Sequence, residues 1–285
     1  MDLTSPRVIK DICERFDFGF SKGLGQNFLL DGNVLDKIAD AAEIEDGVLE
    51  VGPGFGVLTK RLAETGKKVV SVEVDKRLIP ILDFTLAEFD NVKIIEQDIL
   101  KTDVAALIKQ EFGDKKISVA ANLPYYITTP VIMKLIEECC GFGYITVMVQ
   151  KEVARRLCAK PESADYGSIT AEIGLYGGAV KLFDVPAGCF NPRPKVDSAV
   201  VRIKLEQPEK YPKADARNAS ILIKAAFGQR RKTLVNALSG LAGKIKTTDK
   251  NELAEIISQT LGVPGDVRGE KLTADQFVTL ARALF

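Results

Sequence analysis

Val48-Leu49-Glu50-Val51 is a short apolar stretch that runs straight into Gly52-Pro53-Gly54-Phe55-Gly56, after which Val57, Leu58, Leu62 and Ala63 take up helical spacing. Strand, glycine turn and helix in that order open a doubly wound α/β sheet, whose ligands sit beyond the carboxyl ends of the strands. The glycine spacing narrows the ligand. It is GxGxG, whereas the dinucleotide fingerprint GxGxxG needs a glycine at 57, where Val57 stands. A tight glycine turn lets a ribose and an amino-acid tail lie against the backbone without side-chain clash. Such a turn, free of pyrophosphate contacts, suits S-adenosylmethionine.

The next strands place acids at the same edge. Lys68 to Val74 reads as a strand carrying Glu73, 21 residues after Gly52, where a carboxylate can accept both ribose hydroxyls. Val92 to Glu96 ends at Gln97-Asp98, and Asp98 is placed to accept a hydrogen bond from the cofactor's adenine amine. The apolar run Ile117 to Ala121 is the fourth strand of this expected parallel sheet and ends in Asn122-Leu123-Pro124-Tyr125.

That turn has the chemistry of an adenine-amine methylation site. The exocyclic amine is planar, with its lone pair delocalised into the ring, so it attacks poorly. The Asn122 side-chain oxygen and the Leu123 carbonyl can each accept one amine hydrogen, drawing the lone pair out of the plane and aiming it. Pro124 stiffens the turn through its fixed φ, and Tyr125 offers a face for the base to stack on.

The absence of histidine excludes Ser-His-Asp hydrolysis, HExxH metal chemistry and imidazole acid-base catalysis. Five cysteines, Cys13, Cys139, Cys140, Cys158 and Cys189, form no CxxC pair, which argues against a disulfide framework or a zinc site. Charges at Asp2, Arg7, Lys10 and Asp11 break up the first residues, so they do not read as a signal peptide, and no run of about 18 apolar residues could span a bilayer. A cytoplasmic protein without membrane contact or metal is expected. Net charge is zero but uneven: residues 1–185 hold 22 basic and 29 acidic side chains, residues 186–285 hold 17 and 10. The positive excess of the second part hints at a nucleic-acid-facing segment.

Around the core, Arg7, Lys10, Arg15 and Lys22 alternate with Phe16, Phe18 and Phe20, a pattern open to two readings: RNA contact, or an arm whose aromatics pack on the body. Asn33 to Ala42 has helical spacing, and Tyr144 to Val149 reads as a further strand before a helix at Val153 to Leu157. Cys189-Phe190-Asn191-Pro192-Arg193-Pro194-Lys195 is proline-bounded and basic. Phe190 is a candidate second face for clamping a flipped base against Tyr125, with core packing the equal alternative; Arg193 and Lys195 are placed to meet phosphate. Glu206 to Asp215 reads as a linker, and four helical segments follow at Ile221–Phe227, Thr233–Leu241, Leu253–Leu261 and Thr273–Leu284, the last with Thr273 and Gln276 as a capping box. Between the first two lies Gln229-Arg230-Arg231-Lys232, read as RNA phosphate contact.

Six motifs together resemble one family: Ser21-Lys22-Gly23-Leu24-Gly25-Gln26-Asn27-Phe28-Leu29, Leu49-Glu50-Val51-Gly52-Pro53-Gly54, Asn122-Leu123-Pro124-Tyr125, Gln150-Lys151-Glu152-Val153, Pro194-Lys195-Val196-Asp197-Ser198-Ala199-Val200-Val201 and Gln229-Arg230-Arg231-Lys232-Thr233-Leu234. They look like the bacterial ribosomal small-subunit (16S rRNA) adenine dimethyltransferases, the kasugamycin-sensitivity methyltransferase family. The resemblance implies a Rossmann-like S-adenosylmethionine-dependent methyltransferase sheet with a small C-terminal all-helical domain: an arm over 1–20, the methyltransferase domain over 21–205 and a helical RNA-binding domain over 206–285. It implies dimethylation of two adjacent adenosines in a hairpin near the 3′ end of 16S rRNA within immature small subunits, by a monomer that needs no metal. Carried over, cofactor contacts fall on Asn27, Leu29, Gly52, Glu73, Asp98 and Asn122, acceptance of the amine on Asn122 and Leu123, and stacking on Tyr125. Tyr126 departs from the family, many members of which have Asn there. The related family that methylates 23S rRNA is disfavoured by Gly52-Pro53-Gly54, Asn122-Leu123-Pro124 and the block from Pro194 to Val201. A non-enzymatic assembly factor is disfavoured by intact Glu73, Asp98 and Asn122, and a DNA methyltransferase by the lack of a separate sequence-reading module.

Overall fold

The computed structural model describes residues 1–20, 27–138, 141–206 and 210–285; the loop over 21–26 with Lys22, the pair Cys139 and Cys140, and residues 207–209 of the expected linker lie outside the described residues. The chain forms two compact units. One holds Met1–Ala154 and Ala179–Leu205, the other Arg155–Gly178 and Glu206–Phe285.

In the first unit, α1 (Pro6–Arg15) buries Ile9 and Ile12, and β1 (Phe28–Leu29) follows. Asp31 caps α2 (Gly32–Ala41), its Oδ1 accepting from Val34 N at 3.1 Å, a cap worth about 1 kcal/mol. Strands and helices then alternate: β2 (Gly47–Val51), α3 (Val57–Ala63), β3 (Lys68–Glu73), α4 (Ile79–Thr85), β4 (Val92–Glu96), α5 (Val104–Phe112), β5 (Ile117–Asn122), α6 (Thr128–Glu138) and β6 (Phe142–Gln150). Within α7 (Lys151–Leu157) the chain passes to the second unit, where α8 (Ser168–Tyr176) lies. It returns within β7 (Gly177–Val185) and adds β8 (Phe190–Asn191) and β9 (Ser198–Leu205).

Seven strands form one sheet in the order β4-β3-β2-β5-β6-β9-β7. β2 is buried along its whole length, with β3 and β5 parallel to it on either side, which is why it reads as a continuous apolar run. The pairs β3–β4 and β5–β6 are also parallel, as expected of a doubly wound sheet, and β9 adds to β6 antiparallel, so the whole sheet is mixed. An antiparallel edge on a doubly wound sheet is common, and its direction depends on where the chain re-enters the sheet, which no local pattern records. β7 has no clean two-residue burial alternation, so nothing in its sequence announces a strand.

The phenylalanines of the first twenty residues pack on the body. Phe18 and Phe28 lie 5.4 and 4.5 Å from the fully buried Phe55 ring, Phe16 lies 5.6 Å from Phe84, and the Arg15 guanidinium stands 4.1 Å from the Phe84 centroid. The second unit closes around Leu222, Ile223, Leu234, Leu238, Phe277 and Leu280, contributed by α9 (Lys213–Gly228), α10 (Leu234–Leu238) and α12 (Ala274–Leu284); α11 (Lys250–Leu261) adds Leu253 and Ile257. α9 begins inside the stretch read as a linker, because its charged first turn masks the buried Ala216 and Ala219. The capping box at α12 is present: Thr273 Oγ1 accepts from Gln276 N at 3.2 Å and Gln276 Oε1 from Thr273 N at 2.9 Å.

Candidate active site

Strand order reverses between β2 and β5, since β3 and β4 extend the sheet from one side of β2 and β5 and β6 from the other. Chain connections leave a crevice at such a switch point. A cavity of about 270 Å³ opens there, close to the lower limit for small-molecule sites. It gathers residues from separate stretches of the chain: Asn27 and Leu29, Gly52, Glu73, Asp98, the turn Asn122 to Tyr125, and Phe190. All the residues expected to hold a cofactor or the target base therefore share one cavity.

The glycine turn forms its floor. Gly52 and Gly54 have φ of +72° and +61°, left-handed values that side chains strain to adopt. A Cβ on Gly54 would stand 2.7 Å from the Phe28 ring, whereas one on Gly52 would meet no protein atom within 4 Å and would project into open space. Beside the turn, Glu73 is buried, with Oε1 accepting from Asp75 N at 2.8 Å and Oε2 from Gly54 N at 3.3 Å. Burial pushes its carboxyl up, and those backbone donors oppose the shift. Asp98 is partly exposed; its Oδ1 accepts from Leu100 N at 3.0 Å, and Lys101 lies 3.6 Å from Oδ2.

At the end of β5, Asn122 donates its Nδ2 to the Asn27 carbonyl at 3.4 Å. That bond occupies the donor side of the amide and leaves Oδ1 as the acceptor. The Pro124 carbonyl is engaged by Ile127 N and Thr128 Oγ1, both at 3.2 Å, which ties the turn to the start of α6. Tyr125 is half-buried and its hydroxyl is 2.9 Å from Ser198 Oγ at the start of β9, so a contact outside the turn holds its ring. Leu29 pairs with Phe190 across β1 and β8, which carries the Phe190 ring both into the core and onto the cavity wall. Arg193 and Lys195 are exposed beyond it and do not line the cavity; Arg230, Arg231 and Lys232 belong to the second unit, exposed between α9 and α10.

The sequence assigned no role to Glu50, yet it lines the cavity and is 1% exposed. A lone acid in an apolar strand was the available signal. Its Oε2 accepts from Thr59 Oγ1 at 2.6 Å and Ser71 Oγ at 2.7 Å. Desolvation outweighs those bonds, the Glu73 charge adds to it, and the carboxyl is pushed up to about 7. The folded state thus keeps a proton that the unfolded chain releases near 4.5. Stability falls as pH rises from about 4.5 to 7, and the full penalty, on the order of 3 kcal/mol, stands above that window. Replacing Glu50 by Gln removes the titration. The variant is expected to gain stability relative to the parent as pH rises from about 5 to about 8, measured by denaturant unfolding without ligand; a difference that is flat with pH would take the Glu50 proton out of the account.

The residues present fit S-adenosylmethionine. Open space above Gly52 and a buried carboxylate beside it for hydroxyls are what that molecule requires. Sheet order, glycine turn and amide-bearing turn together define a Rossmann-like S-adenosylmethionine-dependent methyltransferase.

Comparison with known proteins narrows the class. Residues 18–284 match the model of the family described as ribosomal RNA adenine dimethylase, and the chain belongs to that family. A ribosomal RNA small subunit methyltransferase A of Bacillus pumilus is 45% identical over 289 residues, covering 99% of this chain and 97% of the relative. One of Alkaliphilus oremlandii is 43% identical, over 99% of this chain and 98% of its own length. Among solved structures, a dimethyladenosine transferase from Plasmodium falciparum superposes with a TM-score of 0.72 at 26% identity, covering 89% of this chain and 95% of that one. The 23S rRNA methyltransferase ErmE gives 0.66 at 25% identity, over 90% and 99%. The protein is an rRNA adenine dimethyltransferase. Among the described residues no group of three or more His, Cys, Asp or Glu is placed to hold a metal ion, and no helix is long and apolar enough to cross a membrane.

Proposed function

We propose that this protein dimethylates the exocyclic amines of two adjacent adenosines in a hairpin near the 3′ end of 16S rRNA, acting in the cytoplasm as a monomer on immature small subunits. The observation that carries this reading is the Asn122 amide, whose donor side is engaged by Asn27 and whose acceptor side is left for an amine. Bound S-adenosylmethionine supplies an electrophilic sulfonium methyl. Gly52, Glu73 and Asp98 hold the nucleoside part of the cofactor, with Asn27 and Leu29 on the same wall. Tyr125 and Phe190 clamp the flipped adenine. Asn122 Oδ1 and the Leu123 carbonyl accept the amine hydrogens and point the lone pair at the methyl for in-line attack. The methylated amine is a strong acid until it loses a proton, which water can take, so no side-chain base is required.

The test is transfer from labelled S-adenosylmethionine to small subunits lacking the modification and, separately, to protein-free 23S rRNA, with digestion and identification of the products. Dimethyladenosine from the small subunit alone is expected. Label in the large-subunit RNA would replace this reading with that of the 23S enzymes.

Phosphate contact falls to Arg193, Lys195 and the basic run of the helical unit. In that run Arg230 donates to the Tyr166 carbonyl at 2.9 Å and lies 3.7 Å from Glu270, while the side chains of Arg231 and Lys232 have no such partner among the described residues. Replacing all three by Ala is expected to weaken small-subunit binding and to flatten the slope of log affinity against log salt by about 2 to 3. An unchanged slope would make the run structural.

A further inference from the structure

Tyr126 lines the mouth of the cavity and is 57% exposed. Its neighbour Tyr125 is tied to Ser198, and the backbone on either side is held by the Pro124 carbonyl bonds to Ile127 N and Thr128 Oγ1. The side chain of Tyr126 itself makes no hydrogen bond or ring contact among the described residues. A rigid turn thus presents a bare aromatic face to solvent beside the base pocket, where the proposed chemistry gives it no task.

Base flipping supplies one. Extracting an adenine from a strand leaves the nucleotide next to it with one face unstacked, at a cost of a few kcal/mol. That nucleotide is bonded to the flipped one through a single phosphodiester, so it cannot leave the cavity mouth. Each base has a face that an aromatic ring can cover. We propose that Tyr126 stacks on the base adjacent to the flipped adenine, replacing the partner that flipping removes. This rests on the reading of the site as one that takes either of two adjacent adenosines. The strand has one polarity, so this holds for one of the two: when that adenosine occupies the pocket between Tyr125 and Phe190, its neighbour lies against Tyr126. The residue positions substrate and takes no part in the methyl transfer, so its effect falls on KM and leaves kcat of the first transfer nearly unchanged.

The experiment is a cycle between the side chain and the base. Unmodified small subunits are reconstituted with a ligated synthetic 3′ hairpin carrying either both adenosines or an abasic nucleotide in place of one, and transfer to the remaining adenosine is followed. With the wild-type enzyme the abasic site is expected to raise KM by about 5- to 100-fold. Tyr126→Ala on intact RNA is expected to raise it by a similar factor, the abasic site then adding little, and Tyr126→Phe to behave as wild type. The chain contains no tryptophan, so Tyr126→Trp gives the enzyme a single one, whose emission, taken as the difference from the parent enzyme on the same subunits, is expected to be quenched by intact subunits and not by abasic ones. Multiplicative effects of the two changes, or equal quenching by both subunits, would overturn the stacking while leaving the methyltransferase reading in place. If the wild-type enzyme transfers nothing to intact subunits, both readings fall together.

Discussion

Asn122→Ala is expected to reduce methyl transfer by about 10²- to 10³-fold, the scale on which removal of one preorganised hydrogen-bonding group acts, while cofactor affinity changes by less than about tenfold. The side chain has two jobs in one amide. Nδ2 anchors the turn to the Asn27 carbonyl, and Oδ1 accepts an amine hydrogen. Ala removes both. The sharper comparison is Asn122→Asp, which keeps acceptors for the amine but sets a carboxylate oxygen against the Asn27 carbonyl. The turn then loses its anchor, and activity is expected to fall between wild type and the Ala variant. Single-turnover rates at saturating cofactor, with affinity measured by calorimetry, separate the two jobs. A near-normal rate for the Ala variant would take Asn122 out of the mechanism.

Glu73→Ala is expected to weaken cofactor binding by about 100-fold or more. The carboxylate has roughly four acceptor positions; Asp75 N and Gly54 N take two, and the remainder are left for ribose hydroxyls. Hydrogen bonds to a charged acceptor contribute about 1.5 to 3 kcal/mol each, so two of them account for the loss. The Gly54 bond also holds the glycine turn against the carboxylate, and its removal loosens the floor of the cavity. Glu73→Gln, which keeps the length but exchanges one acceptor for a donor, is expected to lie between wild type and Ala. Cofactor binding within a few-fold of wild type would remove Glu73 from the site.

Much of the site was legible in the order of residues. The glycine turn follows β2 because positive φ at Gly52 and Gly54 demands residues without a Cβ, and glycine is visible in a sequence. Glu73 and Asn122 end their strands and Asp98 lies just past its own, and short apolar runs mark strands. The stretch from 168 to 185 was not legible: α8 is apolar nearly all round and β7 half-exposed without alternation, so neither shows a period. Glu50 went unassigned because its burial and its raised pKa come from Thr59, Ser71 and Glu73, which only the fold brings to it.

The sequence by itself determined the character of the segments that form the site: where the backbone must turn, which strands end in an acid or an amide, and which family those motifs match. Tertiary structure alone decided which segments meet. β5 lies against β2 and not beside β4, which sets Asn122 beside the glycine turn; further contacts between distant segments bring Asn27 to Asn122 across 95 residues and Ser198 to Tyr125 across 73. Local conformation is set by a residue and its near neighbours, so sequence records it. Pairings between distant segments are set by burying every apolar face of the chain at once, and no window of residues contains that condition.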